Sequence, residues 1–347
     1  MKGSRRRPTL REVAELAGVS QATASKVLNG RSDVAPQTRE RVLEVMESEG
    51  YHRTGNRSTV DGEPPIVAVF DDLASTYVSL TLEGVVLAAA EHDVDVVVRI
   101  NPTAFHDLSD RAARAWIDAN RGARGIISVT SMVPRSLIES AERRRIPLVS
   151  IDPVDSFDER IVSISSTDWA GGRSVTEHLL ALGHRDIAWI GGPSGSAPTI
   201  ERFQGYRAAH ELAGVPTSAQ LHRNGRYTFE SGVLLGGELL DSGVRCTAVV
   251  CGSDSIAFGV MEAARRRGIR LPEDLSITGF DDVPQAEWVA PKLTSVRAPL
   301  IGIGRMAVET VLALAEGRAP ISHNIQLSTS LVVRESTAPP PTAVDAG

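Results

Sequence analysis

Thr9-Leu10-Arg11-Glu12-Val13-Ala14-Glu15-Leu16-Ala17-Gly18-Val19-Ser20-Gln21-Ala22-Thr23-Ala24-Ser25-Lys26-Val27-Leu28-Asn29-Gly30 is the stretch that decides how this chain begins to fold. Thr9 and Glu12 have the spacing of a capping box, in which each side chain satisfies a free amide at a helix start. Leu10, Val13, Ala14 and Ala17 follow at i, i+3, i+4 and i+7, which predicts a helix with one apolar face. Gly18 supplies a left-handed turn, and Ser20 is placed to cap the next helix. That helix is predicted over 21–29, with Ala24, Val27 and Leu28 inward. Gln21, Ala22, Ser25, Lys26 and Asn29 form its opposite, polar face, and Gly30 stops it. A third helix is predicted from Pro36, burying Val42, Leu43 and Met46 before Gly50. Helix, glycine turn, polar-faced helix and bracing helix make a helix-turn-helix, whose second helix fits the DNA major groove. Amide and cationic side chains there can read base edges. A small helical dimerisation head has the same caps and periodicity, and these features alone do not separate the two.

The charge distribution favours the DNA reading. The chain has 347 residues and a formal charge of −6. Through Ser58 there are eleven Lys and Arg against seven Asp and Glu, a net of +4, which leaves −10 for the remainder. A basic head on an acidic body suits a chain that meets nucleic acid at one end only. Cys246 and Cys251 are too few for a disulfide framework and lack metal-ligand spacing. No signal-peptide pattern follows the basic start, and no apolar run has the length of a membrane span. A cytoplasmic protein is expected, with no metal and no cofactor.

From Ile66 onward, short apolar runs alternate with helical patterns. Strands are predicted at 66–70, 94–100, 125–129, 147–151, 186–191, 248–251 and 276–280, with helices between them, among them 169–182. This alternation means doubly wound parallel sheets, so the fold class is α/β behind an all-helical head. Such sheets bind ligands beyond the carboxyl ends of their strands. Asp71-Asp72, Asp152, Ser253-Asp254 and Asp281-Asp282 all fall at that edge. Any one of them alone reads as a loop or cap residue; four together point to a shared cleft.

The wording of the head strongly resembles the lac repressor (LacI/GalR) family, and Val34-Ala35-Pro36-Gln37-Thr38-Arg39 and Gly50-Tyr51 continue the resemblance. So do Glu177–Ala188, Arg202-Phe203-Gln204-Gly205-Tyr206, Leu271–Asp282, Pro291–Val296 and Leu331–Thr337 in the body. The resemblance implies a transcription regulator with a periplasmic-binding-protein-like body of two similar lobes, crossing near residues 163, 293 and 323. Expected boundaries are a head at 1–58, a linker at 59–65, an effector domain at 66–337 and a tail at 338–347. The first lobe would comprise 66–163 and 293–322, the second 164–292 and 323–337. The tail lacks the leucine repeat that would build a tetramer, so a homodimer on a near-palindromic operator is expected.

By resemblance, Gln21, Ala22 and Lys26 occupy base-reading positions, while Thr9, Ser20, Ser25 and Asn29 fall where the family touches phosphate. The linker departs from the family: Val60 stands at the usual leucine position, and Gly55, Ser58 and Thr59 are poor helix formers. Arg53 and Arg57 keep positive charge near the DNA. Effector-contacting positions fall on Arg202, Asp152, Ser253 or Asp254, and Asp281. Asp71, Ser75 and Tyr77 are expected to face them from the first lobe. Tyr227 and Trp288 are the candidates to stack on a sugar ring. A neutral mono- or small oligosaccharide is the expected effector, because a forked guanidinium and ionised carboxylates suit adjacent hydroxyls. A purine is the rival.

Enzymatic readings find little support. Gly191-Gly192-Pro193-Ser194-Gly195-Ser196 lacks the phosphate-loop pattern, and Pro193 removes an amide donor. The paired aspartates have no accompanying nucleophile or metal cluster. A periplasmic sugar-binding protein fits the lobes but not the DNA-binding head.

Overall fold

The computed structural model describes residues 10–28, 34–48, 64–71, 73–100, 109–153 and 158–341. Thr9, Asn29, Arg53, Arg57 and Val60, with the linker reading attached to them, lie outside these residues. The chain divides into two units at Gly62 and Glu63.

In the first unit, α1 (Leu10–Leu16), α2 (Gln21–Leu28) and α3 (Pro36–Ser48) pack around Val13, Ala14, Ala17, Ala24, Val27, Val42 and Met46. Gly18 takes φ +64° between α1 and α2, where a Cβ would be strained. Ser20 caps α2 by accepting from the Thr23 amide at 3.1 Å. Leu43 departs from expectation: it is exposed while Val42 beside it is fully buried. The apolar face of α3 thus follows Val42 and Met46, an i, i+4 pair.

The second unit holds two sheets, each of six strands among the described residues. The first runs β11 (Asn324–Leu327), β5 (Val162–Ser166), β4 (Leu148–Ile151), β3 (Gly125–Val129), β1 (Ile66–Phe70), β2 (Val96–Ile100). The second runs β12 (Ser330–Val332), β10 (Thr294–Arg297), β9 (Ser276–Asp281), β8 (Ala248–Cys251), β6 (Ile187–Gly191), β7 (His222–Asn224). All pairings are parallel except β10 with β12. Helices cover both faces of each sheet, and strands buried on both faces read as continuous apolar runs. In β1, Ile66, Ala68 and Phe70 pack with residues of α4 (Thr76–Glu91) and α11 (Leu300–Ala315). Val67 and Val69 face the other way, with residues of α5 (Asp110–Ala119) and α6 (Arg135–Arg144). In the second lobe, Ile187 and Trp189 of β6 join the side that holds α7 (Asp168–Ala181) and α8 (Ala197–Leu212). Ala188 and Ile190 face α9 (Phe229–Asp241) and α10 (Asp254–Arg266).

Three helix pairs approach so closely that glycine is required at the crossing. A Cβ on Gly84 (α4) would lie 2.1 Å from the Ile301 carbonyl oxygen of α11, and one on Gly172 (α7) 2.2 Å from that of Arg202 in α8. Gly232 (α9) stands in the same relation to Ile256 of α10, at 2.2 Å.

The chain crosses between lobes three times: from β5 to α7, from β10 to α11, and from β11 to β12. Each crossing lies a few residues later than 163, 293 and 323. The largest consequence concerns 294–297, expected in the first lobe: this segment is β10, hydrogen-bonded to β9 of the second sheet. The last strand, β12, and Ala338, which accepts from His184 at 2.8 Å and pairs with Ser276, close the second lobe.

Candidate effector site

The carboxyl ends of β4 and β9 each turn into an aspartate with positive φ, +43° at Asp152 and +105° at Asp281. Non-glycine residues take such conformations rarely, aspartate more readily than most, and functional sites concentrate them. Both side chains are buried, and between them lies Arg202 from the first half of α8, 4 % exposed.

Arg202 is fully engaged on one side. Its Nε donates to Asp168 Oδ1 at 2.6 Å and one terminal nitrogen donates to the Gly252 carbonyl at 2.6 Å. Its guanidinium carbon lies over the Phe280 ring, 3.7 Å from the centre, a close cation–π contact. The same terminal nitrogen approaches Asp281 Oδ1 to 3.5 Å, too far for a hydrogen bond, and that oxygen has no hydrogen-bonding partner. Asp152 is in a similar position. The Tyr77 hydroxyl donates to its Oδ2, while its Oδ1 is buried without a partner. Three carboxylates thus surround one guanidinium. Burial, with the charge of Asp168, pushes Asp152 up to about 7 against the opposing pull of Tyr77 and Arg202. Burial also raises Asp281 to about 7, with Arg202 opposing and Asp168 assisting. Burial opposes the charge on Arg202, but Asp168 and Asp281 hold its pKa above the usual value. Buried acceptors without partners are costly, so this cluster is built to receive donors.

Tyr227 borders the same ground. Its hydroxyl pairs with Thr199 at 2.6 Å, its ring lies 5.9 Å from the Arg202 guanidinium, and a Cβ on Gly192 would strike the ring at 2.3 Å. Across the lobes, Gln285 Nε2 donates to Thr76 Oγ1 at 3.0 Å.

Five expected residues take other places. Asp254 turns away from the cluster: it accepts from Ser295 Oγ at 2.5 Å and the Val283 amide at 2.8 Å, bracing the loop after β9. Ser253 caps α10 through the Ile256 amide at 3.3 Å, and Ser75 caps α4 through the Val78 amide at 3.3 Å. Asp71 accepts from Ser131 Oγ at 2.6 Å within the first lobe. Trp288 is 73 % exposed. Asp282, the neighbour of Asp281, pairs with Arg297 and Arg334 instead. The residue the sequence reading missed is Asp168, whose place in the first turn of α7 looks like an ordinary acid complementing a helix dipole. The edge rule that selected Asp152 also selects Asp168 once β5 is known, but β5 reads Val-Ser-Ile-Ser-Ser and escaped the apolar pattern.

In the head, Gln21, Ala22 and Lys26 are exposed on α2 and Ser25 is half-buried beside them. They share one face opposite Ala24 and Val27.

Raised carboxyls have a measurable consequence. Asp281→Asn is expected to raise the thermal midpoint by several degrees at pH 8. The folded pKa of about 7 lies above the ordinary 3.8, so protonation favours the fold. That contribution is complete below about pH 4 and is lost as pH rises through 7, where the ionised carboxylate burdens the fold. Calorimetric melting at pH 5 and pH 8 checks this; a larger gain at pH 5 contradicts it.

The profile of the bacterial regulatory proteins, lacI family, matches residues 9–54, and that of a periplasmic binding protein-like domain matches 176–337. The HTH-type transcriptional regulator CelR of Thermobifida fusca is 30% identical over 340 residues, 96% of this chain and 99% of that protein. MalR, an HTH-type transcriptional regulator of Streptomyces coelicolor, is 32% identical over 341 residues, 96% and 97% of the two chains. Among solved structures, a CelR–cellobiose complex superposes with a TM-score of 0.71 at 29% identity, covering 95% of this chain and all of that one. The lac repressor dimer bound to operator and the anti-inducer ONPF gives 0.70 at 28% identity, covering 96% and 100%.

Proposed function

Since the chain belongs to the LacI family of bacterial regulatory proteins, we propose that it represses carbohydrate-utilisation genes as a cytoplasmic homodimer, releasing or gripping a near-palindromic operator according to a sugar bound between its lobes. The observation that carries the ligand class is the pair of buried carboxylate oxygens, Asp152 Oδ1 and Asp281 Oδ1, that accept no hydrogen bond beside a fixed guanidinium. A sugar offers several hydroxyl donors on one small frame, and a hydrogen bond to a charged acceptor contributes about 1.5–3 kcal/mol. Tyr227 supplies an aromatic wall beside them. A purine offers fewer donors and asks for stacking on two sides, so the carboxylate-rich cluster favours the sugar. Relatives named for cellobiose-bound and operator-bound states support both halves of the reading.

The effector acts only through its different affinity for the two lobe arrangements. No enzymatic step is part of this reading. Asp168 is committed to Arg202, and among the described residues no group of three His, Cys, Asp or Glu side chains could hold a metal. No helix among them is long and apolar enough to cross a membrane.

Thermal-shift and calorimetric screening of the full chain against cellobiose, maltose, ribose, glucose and the purine bases tests the ligand class. Saturable binding of a sugar, lost on Arg202→Lys, is the expected result. Binding of a purine alone would replace the reading. At the head, Gln21→Ala is expected to cost about 1–3 kcal/mol at the preferred operator and little at random DNA. Equal losses on both DNAs, measured by fluorescence anisotropy at fixed salt, would show that α2 does not read bases.

A further inference from the structure

Tyr77 already makes a contact of the kind a sugar hydroxyl would make. It sits in the first turn of α4, and its phenol donates to Asp152 Oδ2 at the end of β4. Burial and the adjacent Asp152 raise its pKa well above the usual range, so the hydroxyl keeps its proton and remains a donor. The turn around it is tightly made: Ser75 caps it, Ser79 Oγ donates to the Ser75 carbonyl at 3.2 Å, and Thr81 Oγ1 donates to the Tyr77 carbonyl at 3.0 Å. One oxygen of Asp152 is therefore occupied by the protein itself and the other is free.

We infer that Tyr77 is an internal competitor for the effector: its hydroxyl holds Asp152 in the ligand-free cleft and is displaced when a ligand with adjacent hydroxyls takes both carboxylate oxygens. This rests on reading the cleft as the effector site. Each carboxylate oxygen has a second lone pair, but Asp152 is buried and the phenol covers Oδ2, so a ligand that engages both oxygens takes the phenol's position and the phenol leaves. Its departure releases the start of α4 from β4. Thr76, the preceding residue, accepts the hydrogen bond from Gln285 of the second lobe. Ligand binding thereby acts on the turn that carries an interlobe contact, and a ligand with a single hydroxyl, unable to take both oxygens, leaves that turn in place.

The test is Tyr77→Phe, which keeps the ring and removes only the donor. If Tyr77 competes, the variant binds tighter; if it is an ordinary effector ligand, the variant binds more weakly. Calorimetry with cellobiose, maltose, ribose and glucose on the full chain is expected to give about 10-fold tighter binding of whichever sugar binds, the worth of one charge-assisted hydrogen bond no longer competed for. Unchanged or weaker binding overturns the inference. Hydrogen–deuterium exchange of the ligand-free protein supplies an arm that needs no ligand. The amides of residues 78–80 should exchange about 5-fold faster or more in Tyr77→Phe, with those of α10 unchanged. Equal exchange in the two proteins overturns the inference whatever the ligand. Faster exchange with no sugar binding to either protein supports the tie to Asp152 and refutes the sugar reading alone.

Discussion

Arg202→Ala is expected to lower the stability of the two-lobed unit by about 3–5 kcal/mol and to abolish its response to effector. The side chain is buried among Asp168, Asp281 and the Gly252 carbonyl, and its guanidinium carbon lies over the Phe280 ring. Removing it leaves three buried carboxylates with no cation among them, and the loss of one partner of a buried pair costs far more than the pair's net worth. Asp168 and Arg202 lie on α7 and α8 of the same lobe, so the damage falls there first. Operator binding by the head should persist at temperatures where the lobes remain folded, because α1–α3 enclose their own apolar cluster. Urea unfolding followed by tryptophan emission, beside anisotropy on operator DNA, separates the two effects. Arg202→Ala with unchanged unfolding would mean that protons on the carboxylates replace the guanidinium without loss. Lysine at this position restores charge but neither the fork nor the stacking, so it should recover only part of the stability.

The second large effect is expected at the helix crossings. Gly84→Val or Gly172→Val should each cost at least about 3 kcal/mol, at or beyond the upper end of ordinary overpacking. The obstructing atoms are backbone carbonyls 2.1 and 2.2 Å from the new Cβ, which cannot swing aside as a side chain would. The helices must separate, and the sheet faces beneath them lose contact. Gly172→Val carries an added cost to binding, since the carbonyl it strikes belongs to Arg202 itself. Gly195→Ala is the matched control: nothing lies within 4 Å of its Cβ and its φ is ordinary, so a change near zero is expected. A loss at Gly195 equal to that at Gly172 would refute the close-approach argument.

Much of this architecture is legible in the residues. Six of the seven strands visible as apolar runs are buried on both faces, which admits few polar side chains; β2, at the sheet edge, is only half-buried. β5, β7, β10, β11 and β12 were hidden for two physical reasons. β5 buries serines whose hydroxyls find partners, as Ser163 does on the His323 carbonyl at 3.1 Å and Ser166 on Asp168 at 3.0 Å. The others are three or four residues long, too short for alternation to declare itself. At the site, Asp152 and Asp281 were found from their place at strand ends and Arg202 from the family resemblance, and the fold brings them together. Asp254 shares the same sequence signature and points elsewhere, because edge position does not fix which way a side chain turns. The partnership of Arg202 with Asp168 spans 34 residues between two helices, a separation no local pattern encodes.

The three crossings between the lobes also govern how the protein is made. β11, which completes the first sheet, and β12, which completes the second, are neighbours near the end of the chain. During synthesis neither lobe can close until residues 324–332 have left the ribosome, although the first strand emerged more than 250 residues earlier. Until then the edges of β5 and, once it is made, β10 stay open, and unpaired strand edges are where nascent chains associate wrongly. The head, with its own small core at the start of the chain, has no such wait. A ribosome stalled at residue 320 would therefore carry a finished DNA-binding module in front of two unfinished lobes, able to find an operator but not to answer a sugar.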